Sequence, residues 1–279
     1  MPELPEVETV ARELRRVLPG MRVRSLSCHY PGVVSSGARA LGQALRGRTF
    51  TTVGRHGKYL FLGLSGGREV ALHLRMTGQL LLLPRGQALD RHCHLEILLA
   101  GAERKLVYRD VRKFGRFELL PGSRTDFIRD RRLGPDALNV GSESLYESLH
   151  RTGRGLKAAL LDQRLLAGLG NIYTDEVLFR ERLSPLRRSD SLSRQQIRSL
   201  AKSIRAVLRA ALRRRGTSIS DYVDPGGRRG GFQFALKVYG RQGEACPRCG
   251  GAIVRTLVAG RGTWTCPRCQ RRPVLRRRS

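Results

Sequence analysis

Four cysteines near the end of the chain have the types and spacing to hold a metal: Cys246-x2-Cys249, sixteen intervening residues, then Cys266-x2-Cys269. Four thiolates carried on two turns suit tetrahedral Zn²⁺. With every coordination position filled by protein, the single ion would be structural. Two redox dithiols are the other reading, but a thioredoxin-type motif belongs in a βαβ context that is absent here. Cys28 and Cys93 are left over and read as small core or surface residues, since His92 and His94 lack a second ligand pair. Between the two knuckles, Arg255, Arg261 and Trp264 suggest a small hairpin with cations at its tip, a shape that reaches into a DNA groove.

A second candidate is the terminus, Pro2-Glu3-Leu4-Pro5-Glu6. If Met1 is removed, Pro2 presents a secondary amine whose pKa near ~8 leaves part of it neutral at physiological pH. Such an amine attacks carbon electrophiles and forms an iminium without a serine-type triad. Glu3 stands beside it, and Glu6 falls in a first helical turn, where negative charge suits the dipole. Taken alone, the stretch also reads as a proline-punctuated helix start. A third candidate is Gly168-Leu-Gly-Asn-Ile-Tyr173. Glycines before a helix leave backbone N–H groups free for a phosphate, and Asn171 can cap the helix or donate to the same oxygen. On this stretch alone an ordinary turn between helices is favoured.

The elements that must position these groups fall into two textures. Glu6 to Leu18 reads as an amphipathic helix, with Val7, Val10, Leu14 and Val17 at spacings of three and four, Pro5 at its first position and Pro19-Gly20 ending it. From Met21 to Leu120 short β-type runs follow: Val70 to Leu74, Gln79 to Leu83, His94 to Leu99, Lys105 to Tyr108 and Arg116 to Leu120. They predict a β-sandwich or barrel led by one helix. A turn-rich linker follows over 123–141. Beyond it the pattern is helical: Leu156 to Asp162, Asn171 to Arg182, and Ser193 to Arg215 with one apolar stripe. Pro225-Gly226-Gly227 and Gly230-Gly231 mark a mobile loop within 216–232. The expected organisation is an α+β chain: 1–122 helix and sandwich, 142–237 helical, 238–270 the cysteine module, 271–279 a basic tail.

Composition names the class of partner. The 279 residues carry 53 Lys and Arg against 23 Asp and Glu, a formal net charge of +30. Neutralising a row of phosphates releases condensed counterions, so this excess points to a polyanion, with an anionic membrane surface the weaker alternative. Of the cations only six are Lys: Lys58, Lys105, Lys113, Lys157, Lys202 and Lys237. Arg cannot replace Lys where a compact or deprotonatable amine is needed, which makes each of the six a candidate for such a role. No apolar run approaches the ~20 residues of a bilayer span. The N-terminus lacks the pattern of a signal peptide, which predicts a reducing compartment.

Taken in order, Met1-Pro-Glu-Leu-Pro-Glu-Val-Glu-Thr9, Gly57-Lys58-Tyr59, His73-Leu-Arg-Met-Thr-Gly78, Asp110-Val-Arg-Lys-Phe-Gly115, Gly168 to Tyr173 and the paired knuckles resemble the formamidopyrimidine-DNA glycosylase family over Met1 to Gln270. The resemblance implies an N-terminal helix plus β-sandwich domain, a C-terminal helix-two-turn-helix domain with a four-cysteine zinc finger, and DNA in the cleft between domains. It implies a monomer of the bacterial cytoplasm, associated with the nucleoid. The substrate would be double-stranded DNA with an oxidised purine or an abasic site, the damaged nucleotide flipped out of the stack.

Residue roles follow from the same resemblance. Pro2 is the expected nucleophile, Glu3 its acid/base partner, and Lys58 a phosphate contact that assists catalysis. Glu6 would position the terminus and the lesion. Met76, Arg112 and Phe114 match the residues that fill the vacated stack, Arg112 facing the orphaned cytosine. His73, Asn171 and Arg261 match phosphate contacts; Tyr173 and Lys157 join the DNA-contacting set. Thr217, Ser218, Ser220 and Tyr222, in the loop that would close over the base, offer hydroxyls and N–H groups to it. A sister endonuclease preferring oxidised pyrimidines and a non-catalytic zinc-finger DNA-binding protein are the alternatives. The wedge from Arg112 to Phe114 speaks against the first; Pro2, Glu3 and Lys58 together speak against the second.

Overall fold

The structure is a computed structural model that describes residues 1–219 and 221–271. Ser220 and the tail beyond Arg271 lie outside the described residues. The chain divides into two compact units, Met1–Arg131 with Ala211–Gln233, and Arg132–Ala210 with Phe234–Ser279.

The first unit opens with α1 (Leu4–Val17), which begins two residues earlier than expected because Glu3 takes the N-cap position and forms a capping box with Glu6. Pro5 falls in the first turn, where its missing N–H is no loss. The chain continues through β1 (Val23–Cys28), α2 (Ala38–Leu45), β2 (Phe50–His56), β3 (Tyr59–Leu64), β4 (Arg68–His73), β5 (Gly78–Pro84), β6 (Cys93–Leu99), β7 (Arg104–Asp110) and β8 (Arg116–Leu119). The strands form two antiparallel sheets, ordered β1-β6-β7-β5 and β2-β3-β4-β8. Alternation sends Leu60, Leu62, Leu64, Val70 and Leu72 from one sheet into a core shared with Leu80, Leu82, Ile97 and Leu106 of the other and with Val7, Val10 and Leu14 of α1.

All five strands expected from sequence form, each within two residues of its expected ends. The segment expected as a linker differs: α3 (Arg124–Asp130) occupies part of it. Ser123 accepts the Asp126 N–H at 3.2 Å while the Asp126 carboxylate accepts the Ser123 N–H at 3.1 Å. This reciprocal cap nucleates a short helix in polar sequence. Phe127 then packs edge-on against Tyr59 and Phe61.

The second unit contains α4 (Ser142–His150), α5 (Leu156–Leu161), α6 (Asn171–Arg180) and most of α7 (Arg194–Arg213), followed by the antiparallel hairpin β9 (Val254–Val258) and β10 (Arg261–Thr265). The apolar stripe of α7 is buried from Ile197 to Leu212. Phe179 of α6, Val238, Ile253, Cys246 and Cys266 make a separate small core under the hairpin. The loop 216–232, expected to belong with the helices, packs with the N-terminal unit instead. Tyr222 enters the sandwich core, and Leu82 of the edge strand β5 donates its N–H to the Pro225 carbonyl at 2.8 Å. Among the described residues no helix is long and apolar enough to cross a membrane.

Candidate functional site

The N-terminus is held by one carboxylate. Glu6, 2% exposed, accepts the Glu3 N–H at 2.8 Å through Oε2 and the Thr217 N–H at 2.7 Å through Oε1. The start of α1 and the neck of the loop therefore share a single anchor, and Pro2 and Glu3 are buried beside it. Gly216 has φ +81, and a Cβ there would lie 2.5 Å from the Glu6 carboxylate, so the close approach requires glycine.

Lys58 occupies the two-residue turn between β2 and β3, preceded by Gly57 at φ 55, the arrangement of a Gly-first hairpin turn. It is tied to α1 through Glu8 and Arg55, to which the sequence assigns no role. Glu8 accepts from Arg55 Nε at 2.8 Å, and Arg55 donates onward to the Gly57 carbonyl at 3.0 Å. Burial works against the charged form of Glu8, yet the guanidiniums of Arg15 and Arg55 outweigh it and hold the carboxyl below its usual range.

His73, at the end of β4, is buried, and burial together with the nearby cations Arg75, Lys58 and Arg131 pushes its pKa down to about 3. The ring is neutral at physiological pH. Its Nδ1 accepts the Arg75 N–H at 2.9 Å, which leaves the proton on Nε2 for donation. A small recess of about 70 Å³ opens beside it, lined by His73, Arg75, Arg116 and Arg131 among others.

Met76, Arg112 and Phe114 lie on two turns joined by Asp110, which opens the Asp110 to Gly115 motif but is given no role by the sequence. The Asp110 carboxylate accepts from Thr77 Oγ1 at 2.5 Å, Gly115 N–H at 2.8 Å, Tyr108 hydroxyl at 2.9 Å and Arg112 N–H at 3.2 Å. Burial raises its pKa, but these donors prevail and the carboxyl stays below the usual range. Phe114 is 46% exposed, and the Arg112 guanidinium stacks over its ring at 4.7 Å. An exposed aromatic on a pinned turn is free to meet a ligand rather than to fill a core.

The loop residues behave otherwise than expected. Ser218 Oγ donates to the Tyr222 carbonyl at 2.6 Å and accepts the Gly230 N–H at 2.8 Å. Tyr222 is buried, its hydroxyl 3.3 Å from the Glu6 carbonyl. The Ser218 hydroxyl thus holds the loop's own shape and the Tyr222 hydroxyl ties the loop to α1, rather than either being offered to a ligand. Thr217 is buried at the neck, and Ser220 lies outside the described residues. Ile219, 56% exposed, is the most open large apolar side chain of this arc.

In the second unit, Asn171 is the first residue of α6 rather than its cap, because Gly170 takes that position. Its Nδ2 donates to the Gly262 carbonyl at 2.9 Å, which sets the β9–β10 hairpin and the exposed Arg261 beside the start of α6. Lys157 does not face a ligand. It is fully buried and donates to Asp175 Oδ1 at 2.7 Å, Thr263 Oγ1 at 2.8 Å and the Gly262 carbonyl at 3.2 Å. Asp175 Oδ2 in turn accepts the Trp264 N–H at 3.0 Å. The expected DNA contact is corrected to an internal strut between α5, α6 and the hairpin. Tyr173 is likewise fully buried, so its side chain is core and not contact surface.

Cys246, Cys249, Cys266 and Cys269 have all four Sγ atoms within 4.8 Å of one another. Sγ separations of 3.9 Å for Cys246–Cys269 and 3.4 Å for Cys249–Cys266 approach the edge of about 3.8 Å required by tetrahedral Zn–S bonds near 2.3 Å. The donor set fits one structural zinc ion.

Comparison with known proteins matches three segments of the chain. Residues 1–117 match the formamidopyrimidine-DNA glycosylase N-terminal domain, residues 133–223 the formamidopyrimidine-DNA glycosylase H2TH domain, and residues 243–272 the zinc finger found in FPG and IleRS. The formamidopyrimidine-DNA glycosylase of Carboxydothermus hydrogenoformans is 40% identical over 97% of this chain and 100% of its own. That of Desulfitobacterium hafniense is 41% identical with the same coverage. A Lactococcus lactis FPG mutant in complex with a Fapy-dG containing DNA superposes with a TM-score of 0.91 at 37% identity, covering 97% of this chain and 100% of that one. MutM in complex with carbocyclic 8-oxo-G containing DNA gives 0.90 at 36% identity with equal coverage. Full-length identity of this order, with every domain matched in sequence, makes the chain a member of the formamidopyrimidine-DNA glycosylase family.

Proposed function

We propose that the protein is a bifunctional DNA glycosylase and abasic-site lyase of base excision repair, acting on oxidised purines in duplex DNA in the bacterial cytoplasm as a monomer. The observation that carries this reading is the Glu6 anchor, which fixes the buried Pro2–Glu3 terminus and the neck of the 216–232 loop with one carboxylate. A helix cap uses only the Glu3 N–H; the second oxygen, spent on Thr217, is what ties the loop to the terminus.

With Met1 attached the Pro2 nitrogen is an amide and carries no nucleophilic lone pair; its removal creates a secondary amine. That nitrogen attacks C1′ of the damaged nucleotide, the bond from C1′ to the base breaks, and the departing base takes a proton. Opening of the sugar ring, with a proton delivered to O4′ by Glu3, leaves an iminium between Pro2 and C1′. The iminium acidifies C2′; loss of its proton expels the 3′ phosphate with its electron pair, and a second elimination expels the 5′ phosphate. Hydrolysis frees Pro2.

Neutral His73 donates from Nε2 to a phosphate oxygen without adding charge, while Lys58 supplies the cation. Met76 and Phe114 fill the vacated stack and Arg112 hydrogen-bonds the orphaned base. Asn171 and Arg261 act on phosphates as one pinned set. Cys246, Cys249, Cys266 and Cys269 would hold a zinc ion that braces the hairpin carrying Arg261. The reading is tested by incubating duplexes with 8-oxoguanine opposite cytosine, or with an oxidised pyrimidine, side by side with the mature protein. Faster release of the purine is expected. Preference for the pyrimidine would assign the sister specificity, and release of neither would leave a binding protein.

A further inference from the structure

Asp224 is fully buried within the 216–232 loop, and its donors come from one tight turn. Its Oδ1 accepts the Gly226 N–H at 3.0 Å and the Arg228 N–H at 2.9 Å, and its Oδ2 accepts Arg228 Nε at 3.0 Å. Its own N–H donates to the Arg228 carbonyl at 2.9 Å. The same Arg228 guanidinium reaches across to Glu13 of α1. Glu13 and Asp224 thus share one cation, and burial together with the neighbouring Asp224 raises the Glu13 carboxyl above its usual range. Next to this knot Leu82 donates to the Pro225 carbonyl at 2.8 Å, and Gln79 of the same edge strand donates to the Asp221 carbonyl. None of these residues belongs to the expected catalytic or DNA-contacting set.

The geometry fixes the loop at two ends. The first is the neck, where Glu6 holds Thr217, Phe232 donates to the Gly216 carbonyl at 2.9 Å and Gly231 to the Arg214 carbonyl at 2.8 Å. The second is the Asp224 knot, held to α1 and to β5. Between them the Ser218 hydroxyl bridges the Tyr222 carbonyl and the Gly230 N–H, so exposed Ile219 lies between two anchors.

We propose that Asp224, with Arg228 and Glu13, is a clasp that sets the arc around Ile219 for recognition of a flipped base, making Asp224 a positioning residue for specificity. The inference rests on the function proposed above. A carboxylate buried at the base of an arc costs free energy unless every acceptor site is used, and here both oxygens are engaged. Cutting this anchor leaves the nucleophile untouched, because Glu6 holds the terminus independently, but lets the arc drift.

The test compares Asp224→Ala, Asp224→Asn and Arg228→Ala in the full-length mature protein. Excision of 8-oxoguanine and cleavage of a preformed abasic site are measured for each, since an abasic site offers the arc no base. Asp224→Ala is expected to slow base excision by about tenfold or more, a misplacement effect, with abasic cleavage unchanged. Asp224→Asn, which keeps the Oδ1 acceptor, is expected to restore most of the loss, and Arg228→Ala to fall between. Amide exchange at Ser218 and Tyr222 is expected to rise in Asp224→Ala while exchange in β3 and β4 does not. Parallel loss of excision and abasic cleavage, or unchanged excision and exchange, would overturn the clasp. If the unmodified protein released no oxidised purine the proposed function would fall, and the exchange comparison would still decide whether Asp224 anchors the arc.

Discussion

A form of the protein whose N-terminus keeps Met1, or carries an uncleaved extension, loses base excision and strand cleavage together, by about 10³-fold or more, while still binding lesion duplexes. The magnitude follows from removing the nucleophile itself rather than a group that assists it. Acylation converts the Pro2 amine to an amide, and under the function proposed above Lys58 pairs with phosphate and does not replace it. Single-turnover excision with a matched binding measurement checks the split. Retained excision with lost strand cleavage would separate glycosylase from lyase and assign the first step to another group.

The second large effect is on stability. Lys157→Met removes the ammonium that Asp175, Thr263 and Gly262 share and leaves a buried carboxylate with only the Trp264 N–H. Burial pushes the Asp175 carboxyl up to about 7, against the pull of Lys157 and Trp264. Breaking one side of such a pair costs about 3–5 kcal/mol, enough to loosen the hairpin where the Gly262 carbonyl meets Lys157 and Asn171. Adding Asp175→Asn removes the orphaned charge and is expected to recover part of the loss. Denaturant unfolding of the single and double variants measures it. A single variant destabilised by less than about 1 kcal/mol would mean that Asp175 protonates without consequence and that the strut is dispensable.

Much of the fold is legible in the sequence. The paired knuckles, the helix behind Pro5 and five of the strands each carry a local signal: thiol spacing, a stripe at helical period, apolar runs between turns. β1 and β2 carry weaker ones, since Val23-Arg-Ser-Leu-Ser-Cys28 mixes polar residues on both faces and Gly54 interrupts Phe50 to His56. β3 is apolar almost throughout, and periodicity cannot assign such a run. The capping box at Ser123 is a local signal too, but it is submerged among turn residues. Lys157 illustrates a different loss. Its rarity in an Arg-dominated chain marks it, but whether an amine faces a phosphate or a buried Asp depends on a partner eighteen residues on and a hairpin more than a hundred residues away. Asp110 and Glu8 are silent for the same reason, as their work lies in donors that only the fold assembles.

Whether the amine of Pro2 does the chemistry is decided by borohydride trapping. Reduction during turnover of an 8-oxoguanine:cytosine duplex should convert the iminium to a stable amine and yield a one-to-one protein–DNA adduct. Peptide mapping should place that adduct on the nitrogen of Pro2. An adduct mapped to Lys58 or another lysine, or full excision with no adduct, would contradict that role for Pro2.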